Sequence, residues 1–150
     1  KWPNDLMVGD KKIGGILTEI RSDPDRIIFA VIGIGINVNI RRSFFPSEIK
    51  PVVTSIREEL GRIQSRTILV AEILKELDNG HKVLTMDGKS TLIDEWKSLS
   101  STLGRRVKVV SGREIFTGIA KDIDDEGMLI LKLDSGVTKK ISAGDVTMLR

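Results

Sequence analysis

Apolar and polar or small residues alternate over 5–9 and 11–20, with Gly9-Asp10 between the two runs, which predicts a β-hairpin. Asp23-Pro24, inside RSDPDR (21–26), initiates a turn. The next run, Ile27 to Ile36, is continuously apolar and rich in β-branched residues, the pattern of a strand buried on both faces. Residues 38–50 have no clean period and read as a loop. Pro51 suits the first turn of a short helix that runs to Leu60 and stops at Gly61. A stronger helix is expected from an N-cap at Ser65, because Leu69, Val70, Ile73, Leu74 and Leu77 fall at helical spacing. Asn79-Gly80 offers a left-handed stop or a brief interruption. A further helix is expected over 90–99, with Ile93, Trp96 and Leu99 on one side.

From Gly104 the pattern changes. Short strands are expected at 107–110, 115–123, 128–133, 137–141 and 146–149, separated by Ser111-Gly112, by 124–127 (DDEG) and by 134–136 (DSG). Five strands joined by tight turns in fewer than 50 residues predict a small β-barrel of the SH3-like kind. The fold class is therefore α+β, divided into 1–103 and 104–150.

Composition narrows the chemistry. The 150 residues are 40% hydrophobic and 30% charged, which fits a packed core and not a disordered chain. No apolar run approaches the roughly 20 residues that span a bilayer. Cysteine is absent, so disulfides, thiolate metal sites and cysteine nucleophiles are excluded, in keeping with a cytoplasmic setting. A single histidine, His81, leaves no multi-histidine metal site and reads as a helix-end residue. Residues 1–103 carry 15 basic and 14 acidic residues, and 104–150 carry 9 and 7. Neither balance is an electrostatic footprint for nucleic acid. The chain opens at Lys1 without methionine or a signal-peptide pattern, so a piece of a longer polypeptide is expected.

Three constellations carry candidate chemistry. Lys1-Trp2-Pro3-Asn4-Asp5 is followed by Lys12 and then by Gly14-Gly15. Glycines there let a ligand lie against the backbone while an ammonium reaches over it, which suits charge developing on a phosphoryl or acyl group. The plainer reading is a hairpin with solvent lysines and a bulge. Gly33-Ile34-Gly35-Ile36-Asn37 starts like a dinucleotide fingerprint, but Val38 stands where the third glycine belongs and no helix pattern follows, so a dinucleotide oxidoreductase is rejected. Small residues on that strand still leave room for a flat ligand, and the Asn37 amide can offer a donor and an acceptor to the edge of adenine. Close sheet packing with an asparagine turn explains the same residues. Arg41, Arg42, Phe44 and Phe45 can fold over a nucleotide, or the two phenylalanines can tuck into the core. The acidic run 124–126 reads as a solvated turn, since calcium loops need more ligands at set spacing.

KWPNDL (1–6), KKIGGILTE (11–19), GIGINVN (33–39), TSIREELG (54–61) and DEWKSLSSTLGRRVKV (94–109), in that order, resemble the biotin protein ligases. The resemblance implies a catalytic domain related to class II aminoacyl-tRNA synthetases, here truncated, followed by an SH3-like domain. It implies ATP and biotin as substrates, Mg2+ as the metal, and a biotin carboxyl carrier domain as acceptor. By position it implies that Lys12 contacts the biotin carboxyl and phosphate region and that Asn37 reads adenine. Asn4 and Asp5 would lie near the nucleotide, Asp5 near magnesium. Gly14, Gly15, Gly33 and Gly35 would floor the biotin pocket, and 38–50 would be the adenylate loop. The family's Gly/Arg-rich loop and the Ser/Thr and Gln residues that grip biotin precede KWPND and are not in this sequence. These 150 residues alone are therefore expected to be inactive. DNA binding would require a helix-turn-helix ahead of them. The strand 27–36, short of neighbours, is expected to pair in a homodimer. The competing class is a non-enzymatic SH3-like module that binds RNA or protein, with Arg105, Arg106 and Lys108 as its basic start.

Overall fold

The computed structural model describes residues 1–149. The chain divides into two compact units, one comprising 4–70 and the other 1–3 together with the residues from Ala71 onward.

The first unit is built on a three-stranded antiparallel sheet in the order β1-β2-β3, with β1 Asp5–Val8, β2 Lys11–Ser22 and β3 Ile27–Ile36. The hairpin turns at Gly9, whose φ of +57° needs a residue without a side chain. The turn after β2 is held by Asp23, whose carboxylate accepts from the backbone N–H groups of Asp25 and Arg26. The β3 strand forms where the β-branched run predicts it, but its burial does not. Ile27, Ile28, Phe29, Val31 and Ile32 are each about half exposed or more. The exposure belongs to the sheet face and not to the strand alone: Leu17 and Ile20 of the central strand β2 are equally bare, and β3 itself is an edge strand hydrogen-bonded to β2 alone.

Residues 38–50 form the expected loop, with a single 3-10 turn, Arg42–Phe44. The short helix α1 spans Ile56–Leu60 and starts later than Pro51 suggests, because the Ser55 side chain caps it by accepting from the Glu58 N–H. Gly61 closes it in the left-handed conformation, as expected.

Helix α2, Arg66–Met86, begins after Ser65 and runs 21 residues without a break. Asn79-Gly80 does not interrupt it, and Gly80 has no positive φ. His81 accordingly lies in the helix interior, where its carbonyl accepts from the Thr85 hydroxyl.

The second unit contains α3, Lys89–Leu99, and a five-stranded antiparallel sheet in the order β7-β6-β5-β4-β8. The strands are β4 Arg106–Ser111, β5 Glu114–Ile123, β6 Leu129–Leu133, β7 Thr138–Ile141 and β8 Asp145–Met148, close to the expected segments. Alternation puts Val107, Val109, Leu129 and Leu131 fully inside, and Ile93 and Trp96 of α3 pack on that core. The stripe reading therefore holds for Ile93 and Trp96 but not for Leu99, which is exposed at the end of α3. Trp2 also belongs to this core at 3% exposure. Its backbone N–H donates to the Thr102 hydroxyl at 2.9 Å, and its indole N–H donates to the Gly127 carbonyl at 3.0 Å. Asp124 organises the β5–β6 turn by accepting from the Glu126 and Met128 N–H groups, and it pairs with Lys140 at 2.9 Å. That ammonium holds the Asp124 carboxyl below the usual carboxylate range.

Candidate functional site

The β1–β2 ladder carries a bulge. Leu6 faces Gly14 and Met7 faces Lys12, so Ile13 is an extra residue on β2. A bulge breaks strict alternation and re-aims the side chain beside it. Here it turns Lys12 over Gly15: a Cβ on Gly15 would stand 3.6 Å from the Lys12 Nζ. The ammonium is also 2.5 Å from the Asp5 carboxylate, on the strand alongside.

Beyond the lysine the sheet opens into a hollow of about 510 Å³, lined by Asn4, Gly15, Ile16, Leu17, Gly33, Ile34 and Gly35. Gly15 pairs with Gly35 and Leu17 with Gly33 across the β2–β3 ladder, so three glycines clear one face of the sheet. Added Cβ atoms at Gly33 and Gly35 would meet their nearest neighbours at 3.7 and 3.9 Å, ordinary contact distances. Packing does not demand glycine at these two positions, and its effect there is to leave space.

Gly14 is different. A Cβ there would lie 2.3 Å from the Gly35 carbonyl oxygen, so this glycine serves the close approach of two backbones. It does not line the hollow.

Asn37 stands one residue past β3. Its N–H donates to the Ile13 carbonyl at 2.8 Å, and its side-chain Nδ2 donates to the Thr54 carbonyl at 3.1 Å. Asn4 lines the hollow, with its amide committed to the Ile16 carbonyl at 2.7 Å. Arg41, Arg42 and Phe44 are exposed, Phe44 at 73%, whereas Phe45 is buried at 7%. The aromatic pair thus splits: one ring goes into the protein and one is left on the loop surface.

Sequence reasoning counted TSIREELG (54–61) among the motifs but gave no site role to the segment that joins these pieces. Residues 52–57 run beside Lys12 and the segment that follows β3. The Lys12 N–H donates to the Val52 carbonyl at 2.8 Å, and the Thr54 N–H returns to the Lys12 carbonyl at 2.9 Å. The Ile56 and Arg57 N–H groups donate to the Asn37 and Val38 carbonyls, and the Ser55 hydroxyl donates to the Ile40 carbonyl. Asn39 clamps Gln64 at both its carbonyl and its N–H, each at 2.9 Å. A buried Thr-Ser pair ahead of a charged helix was the available signal.

Trp2 and Asn4 of the opening motif fall in different compact units, Trp2 as a core anchor and Asn4 at the hollow. Asp5 is the one carboxylate the sequence offered to magnesium. Asp5 is engaged by Lys12, and the described residues contain no group of three or more His, Asp or Glu able to hold a metal.

Residues 1–39 match the biotin/lipoate A/B protein ligase family, and residues 102–149 match the biotin protein ligase C terminal domain. The bifunctional ligase/repressor BirA of Bacillus subtilis is 34% identical over 148 residues, covering 99% of this chain and 45% of its own. The biotin–[acetyl-CoA-carboxylase] ligase of Mycobacterium tuberculosis is 34% identical, covering 100% of this chain and 53% of its own. The apo biotin protein ligase from Aquifex aeolicus superposes with a TM-score of 0.83 at 29% identity, over 99% of this chain and 63% of that one. The same enzyme in complex with biotin and ATP gives 0.79 at 28% identity, over 99% and 60%. The chain spans about half the length of the curated relatives it matches. Both ends of the chain match models of biotin ligase families, and nearly its whole length is similar to these ligases.

Proposed function

We propose that this chain supplies part of the adenylate site of an ATP-dependent biotin ligase. In the first step a biotin carboxylate oxygen attacks the α-phosphorus of ATP, the bond to pyrophosphate breaks, and biotinyl-5′-AMP forms. In the second, the ε-amine of a lysine on a biotin carboxyl carrier domain attacks the acyl carbon. The acyl–oxygen bond breaks, AMP leaves, and the amine gives up a proton.

The observation that carries this reading is the Lys12 ammonium standing over bare Gly15 at one end of the glycine-lined hollow. Biotin is a flat, neutral ureido ring with a short acyl chain and fits a slot of mostly apolar walls. Gly15, Gly33 and Gly35 give that slot its floor. Lys12 meets the negative charge that grows on the carboxyl and phosphoryl oxygens, where a fixed cation acts most strongly. Asn37 commits one amide hydrogen to Thr54, leaving Oδ1 and the second hydrogen for the adenine edge. Asn4 and Asp5 border the nucleotide, and Arg41, Arg42 and Phe44 close over it from the loop. With Asp5 paired to Lys12, no step is routed through magnesium.

In the same reading, 1–103 belong to a catalytic domain of class II synthetase type and 104–150 to an SH3-like barrel. The protein works in the cytoplasm, and no helix among the described residues is long and apolar enough to cross a membrane. The bare β3 strand pairs with a second copy. The ligase is favoured over an RNA-binding module because basic side chains of the C-terminal sheet are neutralised: Arg106 by Asp134 at 2.7 Å and Lys140 by Asp124.

The test is titration of a non-hydrolysable biotinyl-adenylate analogue, with biotinylation of a carrier domain measured alongside. Saturable binding that Lys12→Met abolishes is expected, with no turnover by the 150 residues alone. An analogue that binds Lys12→Met as well as wild type would refute the assignment.

A further inference from the structure

We infer that Thr54, backed by Glu59, is a positioning residue that sets Lys12 and Asn37 relative to each other; this rests on the ligase reading above. Thr54 is hydrogen-bonded to both. Its N–H donates to the Lys12 carbonyl at 2.9 Å, and its own carbonyl accepts from the Asn37 Nδ2 at 3.1 Å. The backbone of the lysine that meets the acyl-phosphate and the amide that meets adenine are thereby referred to one residue unit.

The side chain of Thr54 holds that unit still. It is 3% exposed, a place where valine would fill the same volume without a polar atom. Its hydroxyl instead donates to the Glu59 carboxylate at 2.5 Å. A hydroxyl-to-carboxylate bond is short and about twice as strong as a neutral one. Glu59 sits on α1, and α1 is itself anchored through Ser55, which caps it and donates to the Ile40 carbonyl at 2.6 Å. The segment is therefore fixed to the helix on one side and to both candidate site residues on the other. Sites of this kind need their groups held within roughly 0.5 Å, which requires such outer support.

The reading makes a demand that simple structural support does not. Lys12 and Asn37 serve different substrates, so loosening their common reference must raise KM for ATP and slow biotin adenylation together. The variants are Thr54→Val, Glu59→Ala, the pair combined, and Thr54→Ser, each placed in a polypeptide with biotin ligase activity. Thr54→Val and Glu59→Ala are each expected to lower kcat/KM for ATP by about tenfold, through both constants. The double variant is expected to be no worse than either single, because one bond is lost in all three. Thr54→Ser keeps the hydroxyl and restores both constants. Amide exchange at Lys12 is expected to quicken in Thr54→Val while the urea midpoint leaves the protein folded at assay temperature. Wild-type constants in Thr54→Val, additive losses in the double variant, or unchanged Lys12 exchange would each overturn the proposal. A wild-type protein that does not adenylate biotin overturns the ligase reading instead, and the exchange measurement then decides the Thr54 link by itself.

Discussion

The Lys12 side chain stands over Gly15 at the place a side chain there would reach: a Cβ on Gly15 would lie 3.6 Å from both the Lys12 Cε and Nζ. The lysine covers this glycine, and the two neighbouring glycines leave the adjoining floor open.

Glycine substitutions should consequently separate fold from function. Gly15→Ala and Gly33→Ala meet only ordinary contacts, and alanine in a strand is intrinsically better than glycine by roughly 0.5–1 kcal/mol. Their urea midpoints are expected to hold or rise while adenylate-analogue binding falls. Gly14→Ala would drive a Cβ to 2.3 Å from the Gly35 carbonyl oxygen and is expected to cost about 1–3 kcal/mol. Equal stability losses at Gly14 and Gly15 would contradict this division.

Lys12→Met removes the cation and keeps the stem. The ammonium is half exposed, so its ion pair with Asp5 contributes at most about 1 kcal/mol, and the unfolding midpoint should barely move. Adenylation in the active polypeptide should drop by about 10²–10³, as for loss of one preorganised charge-stabilising group. Pyrophosphate exchange kinetics measure the loss, and a decrease below fivefold would remove Lys12 from the chemistry.

Trp2→Ala should act on the C-terminal unit. Removing a buried tryptophan costs about 3–5 kcal/mol, and here it also strands the Gly127 carbonyl. Loss of the near-ultraviolet circular dichroism at a lower urea concentration is the expected outcome. An unchanged midpoint would show that Trp2 is not part of that core.

The Asp124–Lys140 pair predicts two edges to the stability profile. The Lys140 hydrogen bond depresses the Asp124 carboxyl below 3.8, so its contribution is present above that value and is lost as pH falls through the lower folded value. The Asp124 hydrogen bond raises Lys140 above 10.5, so that contribution is present below 10.5 and is lost as pH climbs through the higher folded value. Asp124→Asn keeps an oxygen for the Glu126 and Met128 N–H groups but removes the charge. Urea midpoints across pH 2–7 should decline less steeply toward acid in this variant than in wild type. Parallel curves would assign the acid edge to other carboxylates.

Much of this was legible in the residues. Every strand announced itself, because alternation and tight-turn glycines are local signals; Gly9 and Gly112 are the plainest cases. The glycine pattern around Lys12 also pointed to a ligand surface. What the pattern did not carry was assignment among like residues. Gly14 and Gly15 are adjacent and identical, yet one answers to a backbone and the other to a lysine. Phe44 and Phe45 are equally apolar, and only one is buried. Asn79-Gly80 contains a helix stop in principle, but α2 passes through it, and Pro51 is overruled by the stronger cap at Ser55.

The sequence by itself determined the strands, the α+β class and the likeness to the biotin ligases, since these rest on neighbouring residues and on motifs read in order. Tertiary structure alone decided that a bulge swings Lys12 over Gly15 and that Thr54 ties Lys12 to Asn37. It also decided that β3 lies at a sheet edge with its apolar residues bare and that Trp2 anchors a core more than 100 residues away in sequence. The reason is physical: periodicity records which side of its own element a residue occupies, whereas contacts between distant segments depend on register and closure, which no local pattern encodes.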